Sequence, residues 1–255
     1  MKTKPILFST PMVQAILNGT KTQTRRTQGL EKFNTNPDWY RYDGPLLDDH
    51  FNTPTYTHYF EALGIQGDPL EQYIGVESKV KPGDILWVRE TFAHTEQLNL
   101  HQTDYGFQYV YKADNQPWID YEGWKWKPSI FMPKEACRLF LKVTDVKVER
   151  LQDISESDAI AEGIESFYNK LFKQTRYRDY YDGKRRHRDF DMYPETAKSV
   201  GFSHYGGNPW PDWKDPISSF CSLWQSINGK QSWEANPWVW VYKFEQCEMP
   251  KTFLS

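Results

Sequence analysis

The segment PWVWVYKFEQC, residues 237–247, places the strongest constraint on the fold. Trp238, Trp240, Tyr242 and Phe244 fall on alternate positions, with Val239 and Val241 between them. A period of two puts the four rings on one face of a strand and the valines on the other. Such a strand has to lie against a core built of large rings. The composition agrees: 16% of the chain is aromatic, with 11 Trp and 16 Tyr, while the hydrophobic fraction is only 38%. Two more segments share the alternation. CRLFLKVTDVKVERL alternates through Leu139, Leu141 and Val143, then slips at Thr144 and Asp145 as a bulge or bend requires. KPGDILWVRETF (81–92) leaves a Pro-Gly turn and carries Leu86, Val88 and Phe92 on one face. Strands over 84–92, 138–149 and 237–246 are therefore expected in one mixed, barrel-like sheet. PILF (5–8) reads as a short buried strand and YVYKA (109–113) as another.

Helices are marked by their ends. Thr10-Pro11 supplies a cap and a proline at the first helical position, and Asn18-Gly19 supplies a stop, so PMVQAILN is a helix. Its Met12, Ala15 and Ile16 share a face. ISESDAIAEG (154–163) has a capping-box pattern, Ser155 with Asp158, and ends at Gly163. DPISSFCSLWQSING (215–229) starts at Asp215-Pro216; Ile217, Phe220, Cys221, Trp224 and Ile227 form its apolar stripe. Residues 31–75 and 165–210 are polar, aromatic and without sustained period, and read as irregular insertions. The whole predicts an α+β chain with helices packed at the ends of a mixed β-barrel.

Charge and cysteine content limit what such a chain does. A net charge of −3 gives no global attraction to nucleic acid or an anionic membrane, so any such attraction is local. Cys137, Cys221 and Cys247 are odd in number and far apart, which suits a reducing cytoplasm. The cysteines and six histidines show no zinc-type spacing. No apolar run reaches the ~20 residues of a membrane span. The expectation is a cytoplasmic protein with no metal, no cofactor and no membrane partner.

Directly behind the first helix stands ILNGTKTQTRRT (16–27), with Lys21, Thr24, Arg25 and Arg26 in close succession. This stretch, KPGDILWVRETF, LQDISESDAIAEGI and LWQSINGK…NPWVWVYKFE occur in an order that resembles the ASCH domain family, a branch of the PUA-like barrels. The chain is most similar to the larger ASCH proteins of tailed phages and prophages, which also carry a W-K-P-S-I-x-M-P segment, here Trp126 to Pro133. The resemblance covers roughly residues 4–26, 81–164 and 217–246, and implies a single PUA-like domain over 1–255 carrying both insertions. If phage-encoded, the protein would work in the host cytoplasm. One departure stands out: Phe131 occupies the place before Met-Pro where the family pattern leads one to expect histidine. A proton-transfer role at that place is absent here.

Small bacterial ASCH proteins that hydrolyse N4-acetylcytidine use a Lys, Thr and Glu set. The resemblance implies Lys21 and Thr24 from GTKTQT and Glu162 from AIAEG, with Glu156 and Glu165 as fallbacks. The chemistry is sound in its own right. A threonine hydroxyl attacks an amide only if a base takes its proton. A lysine serves as that base if desolvation or neighbouring positive charge lowers its pKa, and Arg25 and Arg26 could supply the charge. A glutamate would orient the ammonium and also raise that pKa again, which leaves the balance open. In an extended strand residues 21 and 24 face opposite ways, so cooperation requires a turn over 21–24. A lysine in such a loop faces solvent by default, and a threonine near a helix end commonly bonds local backbone.

Candidate substrate-binding residues are Arg26, Trp87, Arg89, Glu90, Trp126 and Ser129. The arginines would clamp phosphate or carboxylate and the tryptophans stack a base; alternatively, the former are surface ion pairs and the latter core. A further basic run between 170 and 189 ends in KRRHRDF, and Lys184, Arg185, Arg186 and Arg188 are its candidate nucleic-acid contacts. The reading that results is hydrolysis of an N4-acylated cytidine or related modified pyrimidine. Its rivals are a non-catalytic module binding RNA or single strands, and a metal-independent nuclease.

Overall fold

The computed structural model describes residues 2–45, 57–64, 66–94, 108–114, 124–164, 166–169, 174–178, 212–213 and 215–254. In chain order the strands begin with β1 (Thr3–Leu7), β2 (Gln23–Arg26), β3 (Tyr40–Pro45), β4 (Thr57–Leu63) and β5 (Pro69–Glu77). They continue with β6 (Ile85–Arg89), β7 (Phe92–His94), β8 (Tyr109–Tyr111) and β9 (Phe140–Arg150). The last are β10 (Ser166–Asn169), β11 (Gln174–Arg178), β12 (Asp212–Trp213) and β13 (Trp238–Cys247). Four α-helices are described: α1 (Thr10–Leu17), α2 (Glu31–Asn34), α3 (Glu156–Ala161) and α4 (Pro216–Asn228). The class is α+β with few helices and mixed sheets. The chain divides into two compact units, one of Met1–Glu149 with Trp238–Ser255 and one of Arg150–Pro237.

The first unit is organised by a five-stranded mixed sheet in the order β1-β6-β9-β13-β2. β1 runs parallel to β6, with Thr3 opposite Ile85 and Leu7 opposite Arg89. A parallel pair cannot be closed by a tight turn, and the long connection is where α1, β2 and the 31–77 segment fit. β6 is antiparallel to β9, pairing Leu86 with Leu141, and β13 is antiparallel to β2. The three alternating segments thus meet in one sheet, but the first only as far as Arg89: Phe92, expected on the face of Leu86 and Val88, lies in β7, which pairs with β8 in a separate two-stranded sheet. The alternation in β9 slips where expected: Thr144 and Asp145 are both exposed, and Asp145 Oδ1 accepts from the Val146 amide at 2.9 Å.

Trp238, Trp240, Tyr242 and Phe244 join Leu86, Val88, Leu141, Val143 and Val148 in the main core. Each such ring removes roughly 150–250 Å² from water, on the order of 4–6 kcal/mol as an upper figure. Val239 and Val241 are also fully buried, so β13 is covered on both faces. β6 differs from its expected single apolar face in the same way. Leu86 and Val88 face the main core, while Ile85 and Trp87 pack with Phe140 and Phe253.

Residues 31–75 correct the expectation of an irregular insertion. β3, β4 and β5 form an antiparallel three-stranded sheet, with register shifts at Tyr42/Gly44 and Glu61/Leu63. Those shifts break the period that a sequence reading relies on. Phe33 stacks on Phe60 at 4.0 Å, and Phe60 meets Trp238 edge-on at 5.1 Å. Asn34 exchanges two hydrogen bonds with the Trp238 backbone, at 2.9 and 2.7 Å.

α1 starts one residue earlier than its proline suggests, with Ser9 as cap, and ends at Asn18 with Gly19 at φ 73°. That backbone is open to glycine and costly for other residues. Val13 joins Ala15 and Ile16 on its buried face, with Met12 only partly covered.

In the second unit, Ser155 Oγ accepts from the Asp158 amide and caps α3, and Asp215 Oδ1 accepts from the Ser218 amide at 2.7 Å to cap α4. α3 and α4 pack on each other. The buried face of α4 is Pro216, Ser219, Phe220, Ser222 and Trp224. Ile227 is exposed, so the apolar stripe does not reach the helix end. β10, β11 and β12 form a three-stranded sheet. No described helix is long and apolar enough to cross a membrane.

Candidate active site

Thr24 sits in β2 directly opposite Tyr242 of β13, and Arg26 opposite Trp240. Cross-strand partners share a face, so Thr24 belongs to the ring-lined side of β13. Thr24 is 1% exposed, and its Oγ1 has no hydrogen-bond partner among the described residues. The hydroxyl of its cross-strand partner is already engaged, since Ser78 Oγ donates to Tyr242 Oη at 3.3 Å. Burial holds the Tyr242 phenol above its usual range, against the opposing hydrogen bond from Ser78 and the charge of Arg26.

Lys21 is placed by the exit of α1. The amides of Thr20 and Lys21 both donate to Ala15 O, at 2.9 and 3.0 Å, which closes the helix end. Beyond this the chain is extended, and the Phe244 amide donates to Thr22 O. The turn expected over 21–24 is therefore not formed, because pairing with β13 begins at once. Lys21 is nonetheless only 2% exposed, which corrects the solvent-facing default. Its ammonium lies 5.5 Å from the Phe8 ring centre, and the Arg26 guanidinium lies 5.4 Å from the same ring. Phe8 in turn packs on Phe244 at 6.3 Å. The length of the lysine stem, rather than a turn, brings its charge to the rings that Thr24 also faces.

The two arginines have separate duties. Arg25 alternates to the other face, opposite Val241, where its fully buried side chain binds Glu149 through Nε at 3.0 Å and Nη2 at 2.5 Å. Its charge is matched by that carboxylate. Arg26 is half-buried and donates to the carbonyls of Arg25 (3.1 Å) and Leu7 (3.2 Å).

At the end of β6 the candidates divide. Trp87 is core, edge-on to Phe253 at 5.7 Å. Arg89 lies over the Trp87 ring at 5.4 Å and donates through Nη2 to Ile130 O, and its Nε is buried without a partner among the described residues. Glu90 is buried, and both its oxygens are taken by Arg138, at 2.9 and 3.0 Å. Arg138 also binds Asp114 at 2.6 Å and stacks on Tyr111 at 3.9 Å. Burial raises the Glu90 carboxyl against the pull of Arg138. This network ties β6 to the segments carrying Tyr111 and Arg138, a role that no local sequence pattern announces.

Trp126 is half-buried beside Trp124, and Ser129 opens a 3-10 turn, Ser129–Phe131. Glu162 belongs to the second unit, where it is the C-cap of α3 and 4% exposed. Glu156, its first fallback, is exposed at the start of α3, and Glu165 lies outside the described residues. Lys184, Arg185, Arg186 and Arg188 also lie outside them. Among the described residues no group of three or more His, Cys, Asp or Glu is gathered as a metal site would require.

No family model, no curated protein and no solved structure matches this chain. Phe8, Ser78, Tyr242 and Arg138 shape the surroundings of the candidates, although the sequence marks Phe8 and Tyr242 only as core and does not mark Ser78 or Arg138 at all. Tyr242 comes to the site by its place in β13, while Phe8, Ser78 and Arg138 flank strands and are brought there by tertiary packing.

Proposed function

We propose that the chain is a PUA-like domain protein of ASCH type that hydrolyses an N4-acylated cytidine or a related modified pyrimidine. The observation that carries this reading is the Thr24 hydroxyl, buried, without a partner among the described residues and on the strand face of Arg26, while the Lys21 side-chain nitrogen reaches the same Phe8 ring as Arg26. A buried, unsatisfied hydroxyl costs about 1–3 kcal/mol, and valine would fill the same space without that cost. A nucleophile awaiting substrate gives a reason for the hydroxyl to be there. In this reading Thr24 Oγ1 attacks the acyl carbonyl and its proton passes to the Lys21 amine. The bond to N4 then breaks, the amine takes a proton, and water frees the acyl group from the threonine ester. Arg26 steadies negative charge that develops on the acyl oxygen. Glu162 enters through the family resemblance alone, and its part is tested by kinetics.

The test is incubation of purified protein with N4-acetylcytidine, with product mass as readout. Cytidine and acetate are the expected products. Lys21→Met keeps the buried stem and removes the amine, and turnover should fall by a factor of at least about 10². Glu162→Gln should lower kcat. An unchanged rate in Lys21→Met overturns the reading.

A further inference from the structure

We propose that the segment Trp124–Lys134, with Phe131 at its tip, is a contact surface for a single-stranded nucleic acid. Phe131 would stack an unpaired base there, while neighbouring lysines would follow the phosphates. The proposal rests on the reading above only in taking a nucleobase as ligand, and it adds that the substrate is part of a strand.

The sequence WKWKPSIFMPKE (124–135) holds three lysines against one carboxylate, Glu135, in a chain whose net charge is −3. Structure puts these groups outside. Phe131 is 64% exposed and Ile130 55% exposed, and Lys125, Lys127 and Lys134 are exposed too. Lys112 comes from beyond β8 and places its ammonium 5.9 Å from the Trp126 ring centre, so a fourth lysine meets the same segment. The tip is held rather than loose. Lys127 pairs with Phe92 through amide bonds in both directions, at 3.2 and 2.8 Å. The Met132 amide donates to Ser129 O, and Arg89 holds Ile130 O. Met132 and Ala136 are buried with Phe92 beneath. A turn held at these points keeps the aromatic ring in water, where a flat ligand can reach it. Interleaved lysines favour one that is both anionic and flat, which describes an unpaired strand. Phe131 stands among the exposed Lys125, Lys127 and Lys134, with Glu135 as the neighbouring carboxylate, and the excess of positive charge beside a flat ring is matched to phosphates and bases.

The experiment measures anisotropy of labelled twelve-residue RNA and DNA single strands of one mixed sequence, over a range of salt. Wild type should bind, more weakly as salt rises. Phe131→Ala should lose about five- to twenty-fold in affinity with its salt slope unchanged, and Phe131→Trp should retain binding. Lys127→Gln with Lys134→Gln should flatten the slope by roughly 0.7 per lost contact. A preference between the two strands identifies the sugar that is read. Equal affinity of wild type and Phe131→Ala, or no binding by wild type, overturns the proposal. So does a Phe131→Ala variant altered only in mass by light scattering, which would assign the face to a second copy of the chain. Turnover of free N4-acetylcytidine without strand binding defeats this proposal and leaves the hydrolase reading standing. Phe131-dependent strand binding without turnover does the reverse.

Discussion

Thr24 faces Tyr242 across the β2–β13 pairing, yet the two hydroxyls do not serve each other: Tyr242 Oη accepts from Ser78, and Thr24 Oγ1 is left without a partner among the described residues. Stability and function should therefore part at this position. Thr24→Val removes a buried, unmatched hydroxyl at constant shape. It should leave stability unchanged or raise it by up to about 1 kcal/mol in urea unfolding, while turnover is lost. Thr24→Ser keeps a nucleophile and should retain part of the rate. A valine variant destabilised by more than about 1 kcal/mol would mean that the hydroxyl is structurally satisfied in solution.

The Arg25–Glu149 pair should behave as a coupled unit. Glu149→Gln takes a carboxylate away from the buried guanidinium and should cost about 3 kcal/mol. Arg25→Met should cost less, because Glu149 is 14% exposed and keeps Lys147 at 2.7 Å. A double-mutant cycle in urea should return a coupling of at least about 1 kcal/mol. Additive losses would show that the two groups are held independently.

His58 sets a pH dependence. It is buried, with Nδ1 at 2.7 Å from the Tyr42 hydroxyl and its ring edge-on to Trp240 at 4.9 Å. Burial lowers its pKa from 6.5, against the opposing charge of Asp145, while burial pushes Tyr42 up to about 12, so that phenol keeps its proton. A neutral imidazole can accept from that phenol at Nδ1, and a protonated one cannot. Above the ordinary histidine range neither state binds the extra proton, and the full stability is present. As pH falls through that range the unfolded chain takes up a proton that the folded one resists, so stability declines until the lowered folded pKa is reached. Urea midpoints should fall between about pH 7 and pH 5, and His58→Gln should lessen the decline. Parallel curves for the two proteins would assign the dependence to other groups.

Much of the scaffold was legible from local pattern. A period of two brings most of 84–92, 138–149 and 237–246 into one sheet, though not Phe92, and Ser155, Asp215 and Gly19 mark helix ends, because each signal depends only on neighbours along the chain. The positions of Lys21 and Thr24 in GTKTQT are visible along the chain too, as the resemblance implies. Their surroundings are not. Whether Lys21 is buried, whether Arg25 is committed to Glu149 124 residues away, and whether Glu90 is engaged by Arg138 depend on contacts between distant segments. The sheet in 31–75 escaped notice because its register shifts break the alternation. Phe131 shows the division most simply. By itself the sequence determined that an aromatic ring stands among lysines, but only a turn pinned by Arg89 and anchored by Met132 decided that the ring faces water. Hydrophobicity alone would have buried it; backbone pairing at Lys127 fixed the turn outside the core, and the side chain had to follow.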